Sequence, residues 1–423
     1  MNHFEYVDGA LHCEGVPLER IAAEVGTPAY VYSSATFERH LDVFREAFAP
    51  EPALPGPVLV AFAVKANANL AVLATLAKKG AGADTVSMGE IKRALKAGIP
   101  PNRIIFSGIG KTEEELAFAL EIGLHQINVE SRAELDLLEA LATRANRRAA
   151  IAIRVNPDVG AGGHDKISTG KSDSKFGVGA ADALALYLRA AKHPNLDAKG
   201  FAVHIGSQIR NLDPLRAAFL VLRKLTEDAR AQGASVERVD LGGGLGVPYF
   251  HEPDPPSPAD YAAMAKDVFR GLSVSLAIEP GRLIAGNAGV LLTRVIRIQE
   301  RPNRRIIVLD AGMNDLIRPA IYDAFHELRP VRQPSRETER EAFDLVGPIC
   351  ETGDTFARGR VLAPLAPGDF AAFMTAGAYG AVMSSTYNAR PLPAEVLVRG
   401  DKFHLVRRRF TVEDQMALET IPS

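Results

Sequence analysis

From about Thr36 onward, short runs of β-favouring residues alternate with stretches of helical periodicity, and this alternation constrains the fold more than any other feature of the chain. The run Val58–Val64 (VLVAFAV) is apolar at every position. A strand with one wet face would alternate, whereas a run apolar on both faces fits a parallel strand covered by helices. Comparable runs lie near Ala83–Val86, Arg103–Phe106, Gln126–Val129, Ala150–Val155, Gly200–Ile205, Val236–Leu241 and Ser275–Ile278, which makes eight with the first. Helical patterns separate them. Phe37, Leu41, Phe44 and Phe48 fall on one helical face. Thr112–Ile122 and Ser131–Leu141 read as further helices, the second opened by Ser131 and Glu134 at capping-box spacing. Eight strands alternating with helices predict an α/β fold of the (β/α)8 TIM-like barrel type. An open doubly wound sheet is the alternative that strand counting leaves open.

After about Gly289 the texture changes. Val290–Ile298, Arg305–Leu309, Phe343–Val346, Phe370–Met374 and Glu395–Val398 read as strands with little helix between them, and the opening residues with Ala29–Ser33 read the same way. The expected organisation is a barrel over residues 36–282 and a mainly-β domain built from residues 283–423 and completed by residues 1–35. Residues 329–341 are polar and read as an exposed loop. The segment 157–179, rich in glycine, serine and lysine, interrupts the barrel pattern. It is either an ordinary surface excursion or a loop on the catalytic face.

Composition excludes several function classes. The formal net charge of the 423 residues is -2, with no basic cluster to point to nucleic acid or a membrane surface. No run of about 18 apolar residues is present to span a membrane, and residues 1–15 do not read as a signal peptide. Two cysteines, Cys13 and Cys350, are too few for a disulfide framework and fit a reducing, cytoplasmic setting.

In a barrel, chemistry gathers where strands end at their C-terminal side. Lys65 ends the first run, in FAVKAN. Partial desolvation there favours the neutral amine, a nucleophile for carbonyl groups, although a lone lysine can equally snorkel to solvent. His204 and Ser207 follow the sixth run, in HIGSQ; a histidine there is a site residue or a satisfied, partly buried one. Gly242, Gly243 and Gly244 follow the seventh, in LGGGLG, as an anion-holding loop or a tight turn. Glu279, Gly281 and Arg282 follow the eighth, in EPGR, where acid and base could pair with each other or serve a ring nitrogen and a carboxylate. Gly110-Lys111-Thr112 imitates the end of a nucleotide phosphate loop, but position 105, where that loop needs its first glycine, is Ile105. No metal is expected.

Taken in order, FAVKAN (62–67), GADTVSMGEI (82–91), HIGSQ (204–208), LGGGLG (241–246), EPGR (279–282), DAGMNDLIRPAIYDAFHE (310–327), GPICETGD (347–354) and AGAYG (376–380) resemble the fold-type III pyridoxal-phosphate-dependent decarboxylases, and among them the diaminopimelate decarboxylase family. The resemblance runs nearly end to end. It implies pyridoxal 5'-phosphate carried on Lys65, with His204 stacked on its ring. Ser207, Gly243, Gly244, Gly281 and Arg282 would hold the phosphate, with Tyr379 reaching it from the other side and Glu279 facing the pyridine nitrogen. The related alanine racemases have arginine where Glu279 stands. Cys350, in CETGD, resembles the family's general acid; Cys13 has no such context and reads as a small buried residue. Arg282, Arg318 and Tyr322 resemble the clamp on the distal carboxylate, with Glu351 at the distal amine and Tyr379 beside the substrate.

The implied reaction is decarboxylation of meso-diaminopimelate to lysine by a cytoplasmic homodimer, in which segment 347–354 enters the other subunit's site. A decarboxylase of another diamino acid, such as ornithine, lysine or a carboxylated polyamine precursor, would keep the cofactor residues and differ at the clamp. A non-catalytic regulatory relative would have lost Lys65 or Cys350. One departure stands in the 157–179 loop, where residues 160–164 read GAGGH without the threonine the family places before the histidine.

Overall fold

The computed structural model describes residues 2–50, 56, 58–160, 169–170, 174–249 and 254–422. They divide into two compact units, one of Arg39–Val247 with Pro253–Leu283 and one of Met1–Glu38 with Pro248–Glu252 and Ile284–Ser423.

Among the described residues of the first unit, eight parallel barrel strands run in chain order, β1 (Leu59–Ala63), β2 (Gly82–Thr85), β3 (Ile104–Phe106), β4 (Gln126–Val129), β5 (Ala149–Asn156), β6 (Leu196–Val203), β7 (Arg238–Asp240) and β8 (Ser275–Ile278), and the two residues Val178–Gly179 add a short parallel strand beside β5. Each pairs with the next, and β8 returns to β1 through Ala277 opposite Leu59 and Ile278 opposite Val60. That last pairing closes a barrel and removes the doubly wound alternative. Every residue of β1, β2, β3 and β4 is buried, as runs apolar on both faces require. Inside, Leu59, Ala61, Ile105 and Ala277 form a core cluster. Parallel pairing throughout sets all eight C-terminal ends on one rim, and this rim positions the site.

The helices between strands begin as their caps dictate. Thr112 and Glu115 cap each other's backbone in a full capping box ahead of Glu113–Ile122. The Ser131 hydroxyl accepts the Glu134 amide, but the Glu134 carboxylate accepts from the Glu130 amide at 3.1 Å and from Lys111 at 2.6 Å. Only half of the box expected at Ser131 forms, because the buried Lys111 ammonium claims the carboxylate. Lys111 also donates to the carbonyls of Gly108 and Asn128, so its hydrogens are committed to holding two strand ends together. The imitation phosphate loop is structural.

In the second unit the strand order is Thr355–Leu362, Glu341–Val346, Arg304–Leu309, Gly289–Arg301, Ala29–Ser33, Ala394–Arg399 and Lys402–Arg407. Ala29–Ser33 lies antiparallel to Gly289–Arg301 and parallel to Ala394–Arg399, so N-terminal residues do complete this sheet. Phe4–Val7, Ala10–Cys13 and Val16–Pro17 form a small sheet of their own. Cys13 is fully buried in a cluster with Leu11, Val31, Val290 and Val396. The exposed loop expected from residue 329 starts later than expected. Leu328–Pro330 pairs with Phe370–Phe373 and Val331 is buried, because both complete the sheet before the chain turns polar. Of the reading GAGGH, residues 161–164 lie outside the described residues, as does most of the middle of segment 157–179.

Candidate active site

Lys65 stands just beyond β1, on a single 3-10 turn, Val64–Ala66. Its Nζ donates to Asp84 Oδ2 at 2.7 Å, and Asp84, in β2, is fully buried. The lysine therefore does not simply snorkel. It lines a cavity of about 300 Å3 together with Ser107, Asn128, Arg154, Thr169, Phe176, His204 and Glu279. That volume is at the lower end of ligand pockets. Strand ends from around the barrel thus meet in one chamber.

His204, immediately after β6, accepts the Gly243 amide at Nδ1, 3.1 Å away. An accepting Nδ1 carries no hydrogen, so the ring is neutral with its proton on Nε2. Burial first, then the charges of Lys65 and Arg154, hold the imidazole well below the usual histidine range. Arg154 is the one charged residue in β5. It is held by Glu130 at 2.8 Å and lies over the Phe176 ring at 4.8 Å.

Glu279 and Asp240 end β8 and β7 as neighbours. Asp240 accepts the Gly242 amide at 3.0 Å and the side chains of Gln126 and Asn128 at 3.2 and 3.3 Å. The two acids hydrogen-bond to each other. Burial, then the neighbouring negative charges of Asp240 and Asp84, raise the Glu279 carboxyl well above the carboxylate range; burial raises Asp240 to about 6. Glu279 thus carries the shared proton. Its Oε1 is buried with no hydrogen-bond partner among the described residues. An orphaned buried carboxyl oxygen costs on the order of 1–3 kcal/mol, which a ligand nitrogen would recover.

The glycine loop is forced by close approach. A Cβ on Gly243 would stand 2.2 Å from the Glu279 carbonyl oxygen. One on Gly244 would stand 2.7 Å from that of Gly206, at a backbone φ of +121° that side chains avoid. Beside the loop, Arg282 donates to the Ser207 hydroxyl through Nε and Nη2 at 3.2 and 2.9 Å. Gly281 is buried. The acid and base of EPGR therefore take different partners, Glu279 going to Asp240 and Arg282 to Ser207.

The remaining expected residues lie on the second unit. Arg318 opens the short helix Arg318–Tyr322 and is buried, with Nη1 2.7 Å from His326 Nε2. Tyr322 ends that helix and is partly buried. Cys350 is exposed, its amide donating to Asn388 Oδ1 at 3.1 Å. The turn carrying it is tied by Asp354, which accepts the amides of Ile349 and Met313 at 2.6 Å each. Exposed Glu351 accepts from the Tyr387 hydroxyl at 3.1 Å. Tyr379 adopts φ +55°, rare for an aromatic residue and the kind of strain that collects at functional sites.

Sequence reasoning passed over Asp84, Asp240 and Arg154. Each had a signal, since each is a charged residue at a buried position within or at the end of a strand run. It passed over Tyr249, and over His326 although that residue lies in the quoted stretch 310–327. Among the described residues no group of three or more His, Cys, Asp or Glu could hold a metal, and no helix is long and apolar enough to cross a membrane.

Residues 34–286 match the family model described as pyridoxal-dependent decarboxylase, pyridoxal binding domain. The chain is 50% identical to a diaminopimelate decarboxylase of Zymomonas mobilis, over 98% of this chain and 97% of that protein. It is 47% identical to one of Pseudomonas aeruginosa, over 100% and 99%. The crystal structure of diaminopimelate decarboxylase from Helicobacter pylori, complexed with L-lysine, superposes with a TM-score of 0.90 at 39% identity, covering 95% of this chain and 98% of the other.

Proposed function

This chain belongs to the diaminopimelate decarboxylase family of pyridoxal-dependent enzymes, and from that premise we propose how its residues divide the work. It is a carboxy-lyase that uses pyridoxal 5'-phosphate to convert meso-2,6-diaminopimelate into L-lysine and CO2, the last step of lysine biosynthesis. The observation that carries the division of labour is the chamber in which Lys65, His204 and Glu279 converge.

The chamber's donors suit that cofactor. Lys65 offers the amine and Glu279 a buried oxygen in need of a nitrogen, and the Gly243–Gly244 loop, bonded to the lining residue His204, adds a backbone surface without side chains. Lys65 Nζ would carry the cofactor, and the neutral His204 ring would offer it a stacking partner. Ser207, Gly243, Gly244, Gly281 and Arg282 hold its phosphate, with Tyr379 completing the cradle. Bound there, pyridoxal phosphate supplies the sink for the electron pair left when a carboxylate departs as CO2. Glu279 keeps a proton at the ring nitrogen, so that the sink stays deep. Cys350 Sγ delivers a proton to the carbon that lost its carboxylate.

Arg318, Arg282, Tyr322 and Tyr379 hold the carboxylate and chain that the substrate keeps, and Glu351 meets the distal amine. A cationic fork built for a carboxylate strongly disfavours a substrate lacking one. We further propose a homodimer whose subunits exchange the 347–354 turn; the exposure of Cys350 and Glu351 on the single chain supports this. A cytoplasmic location is proposed because an exposed free thiol serving as an acid must stay reduced. The test is lysine release from meso-diaminopimelate with added pyridoxal phosphate, with L-lysine and L-ornithine as parallel substrates. Lysine from diaminopimelate alone supports the clamp, and turnover only of another amino acid overturns it.

A further inference from the structure

A buried histidine sets the direction of Arg318. His326 and Arg318 are 3% and 5% exposed. His326 Nδ1 lies 2.9 Å from the Met374 carbonyl oxygen, an atom that only accepts, so Nδ1 carries a hydrogen. Nε2 lies 2.7 Å from Arg318 Nη1, a nitrogen that only donates, so Nε2 carries none. The two contacts fix one tautomer of a neutral imidazole. An imidazolium would turn an N–H toward the guanidinium and repel it. Tyr249 bounds the pair on another side. The guanidinium carbon lies 5.0 Å from its ring centroid, and the His326 ring meets it edge-on at 5.6 Å.

The chemistry of this partner is selective. A carboxylate in its place would hold the arginine more tightly but cancel the charge needed to attract an anion. A neutral ring acceptor holds one arm and leaves the charge intact. Guanidinium recognition of carboxylate depends on orientation as well as charge, so an arm held at a fixed angle is what makes the fork discriminating.

We propose that His326 is a positioning residue for substrate selection, a neutral acceptor that aims Arg318 at the carboxylate the substrate keeps, with Tyr249 as its floor. This rests on the reading of Arg318 as a carboxylate clamp.

The test compares holoenzyme inhibition constants for L-lysine, which has that carboxylate, and cadaverine, which lacks it, alongside kcat and KM for meso-diaminopimelate. His326→Asn keeps an amide near the place of Nδ1 but is too short to reach Arg318; His326→Gln places an acceptor near the position of Nε2. In His326→Asn, L-lysine affinity should fall about 10- to 100-fold, the range for a lost hydrogen bond to a charged group. KM should rise in parallel, while kcat, the visible cofactor band and the cadaverine constant stay within about twofold. His326→Gln should recover most of the loss. Equal losses for L-lysine and cadaverine, or no loss for L-lysine, overturn the proposal. Arg318→Leu separates the two levels. If it abolishes discrimination while His326→Asn does not, the clamp stands and the positioning role falls. If it leaves discrimination intact, the clamp reading itself is wrong.

Discussion

Glu279, which lines the same cavity as Lys65, hydrogen-bonds to Asp240 at the end of the adjacent barrel strand. Burial and the neighbouring acids make Glu279 the holder of the shared proton. A ring N–H placed against it would favour the ionised form of this carboxyl, which accepts that hydrogen and, with its raised proton affinity, keeps it at the nitrogen. Glu279→Gln keeps the shape and removes the basicity. Its kcat should fall at least about 10²-fold, the scale of a lost proton-holding group, with the visible spectrum showing the cofactor still bound. Near-normal kcat in the loaded variant would remove Glu279 from this role.

Cys350 and Lys65 give a test of the shared site. Each single variant, Cys350→Ala and Lys65→Ala, should be nearly inactive. Mixed and allowed to exchange subunits, they should recover activity approaching about a quarter of wild type, since half the dimers would then have one intact site of two. No recovery, with subunit exchange shown independently, would place both residues in one subunit's site.

Glu90 supplies a pH prediction. Burial, more than the nearby Asp84, raises its carboxyl to about 7, against which the Val86 amide works only partly. A raised acid means that the folded state binds the proton more tightly than the unfolded chain. Its contribution is therefore favourable at low pH and is lost as pH rises from about 4.5 through about 7. Cofactor-free Glu90→Gln should avoid this loss and gain about 1–3 kcal/mol relative to wild type at pH 8, converted at about 1.4 kcal/mol per pKa unit. Thermal unfolding of both proteins at pH 5 and pH 8 checks it. A gap that does not widen with pH would show that Glu90 is not the group responsible.

How much of this was legible in the sequence varies from element to element. The barrel strands were legible because burial on both faces writes itself as unbroken apolar runs, as in β1. The edge strand Lys402–Arg407 was not, because none of its residues is buried and it need not be apolar at any fixed period. Thr355–Leu362 was obscured in the same way, with Arg358, Gly359 and Arg360 breaking its pattern. At the site, Lys65, His204 and Glu279 stood out as polar residues at the ends of apolar runs. Their partners are set by which strand ends lie side by side, and only the register gives that: Asp84 meets Lys65 because β2 lies beside β1. His326 was silent because its role depends on Met374, a residue 48 positions away.

Every proposed role in this cavity depends on Lys65 carrying the cofactor. The direct measurement is borohydride reduction of the pyridoxal-phosphate-loaded protein followed by peptide mass mapping. A single reduced pyridoxyl adduct is expected, on the peptide containing Lys65, and none in Lys65→Ala. An adduct on another lysine, or an unchanged adduct in Lys65→Ala, would contradict it.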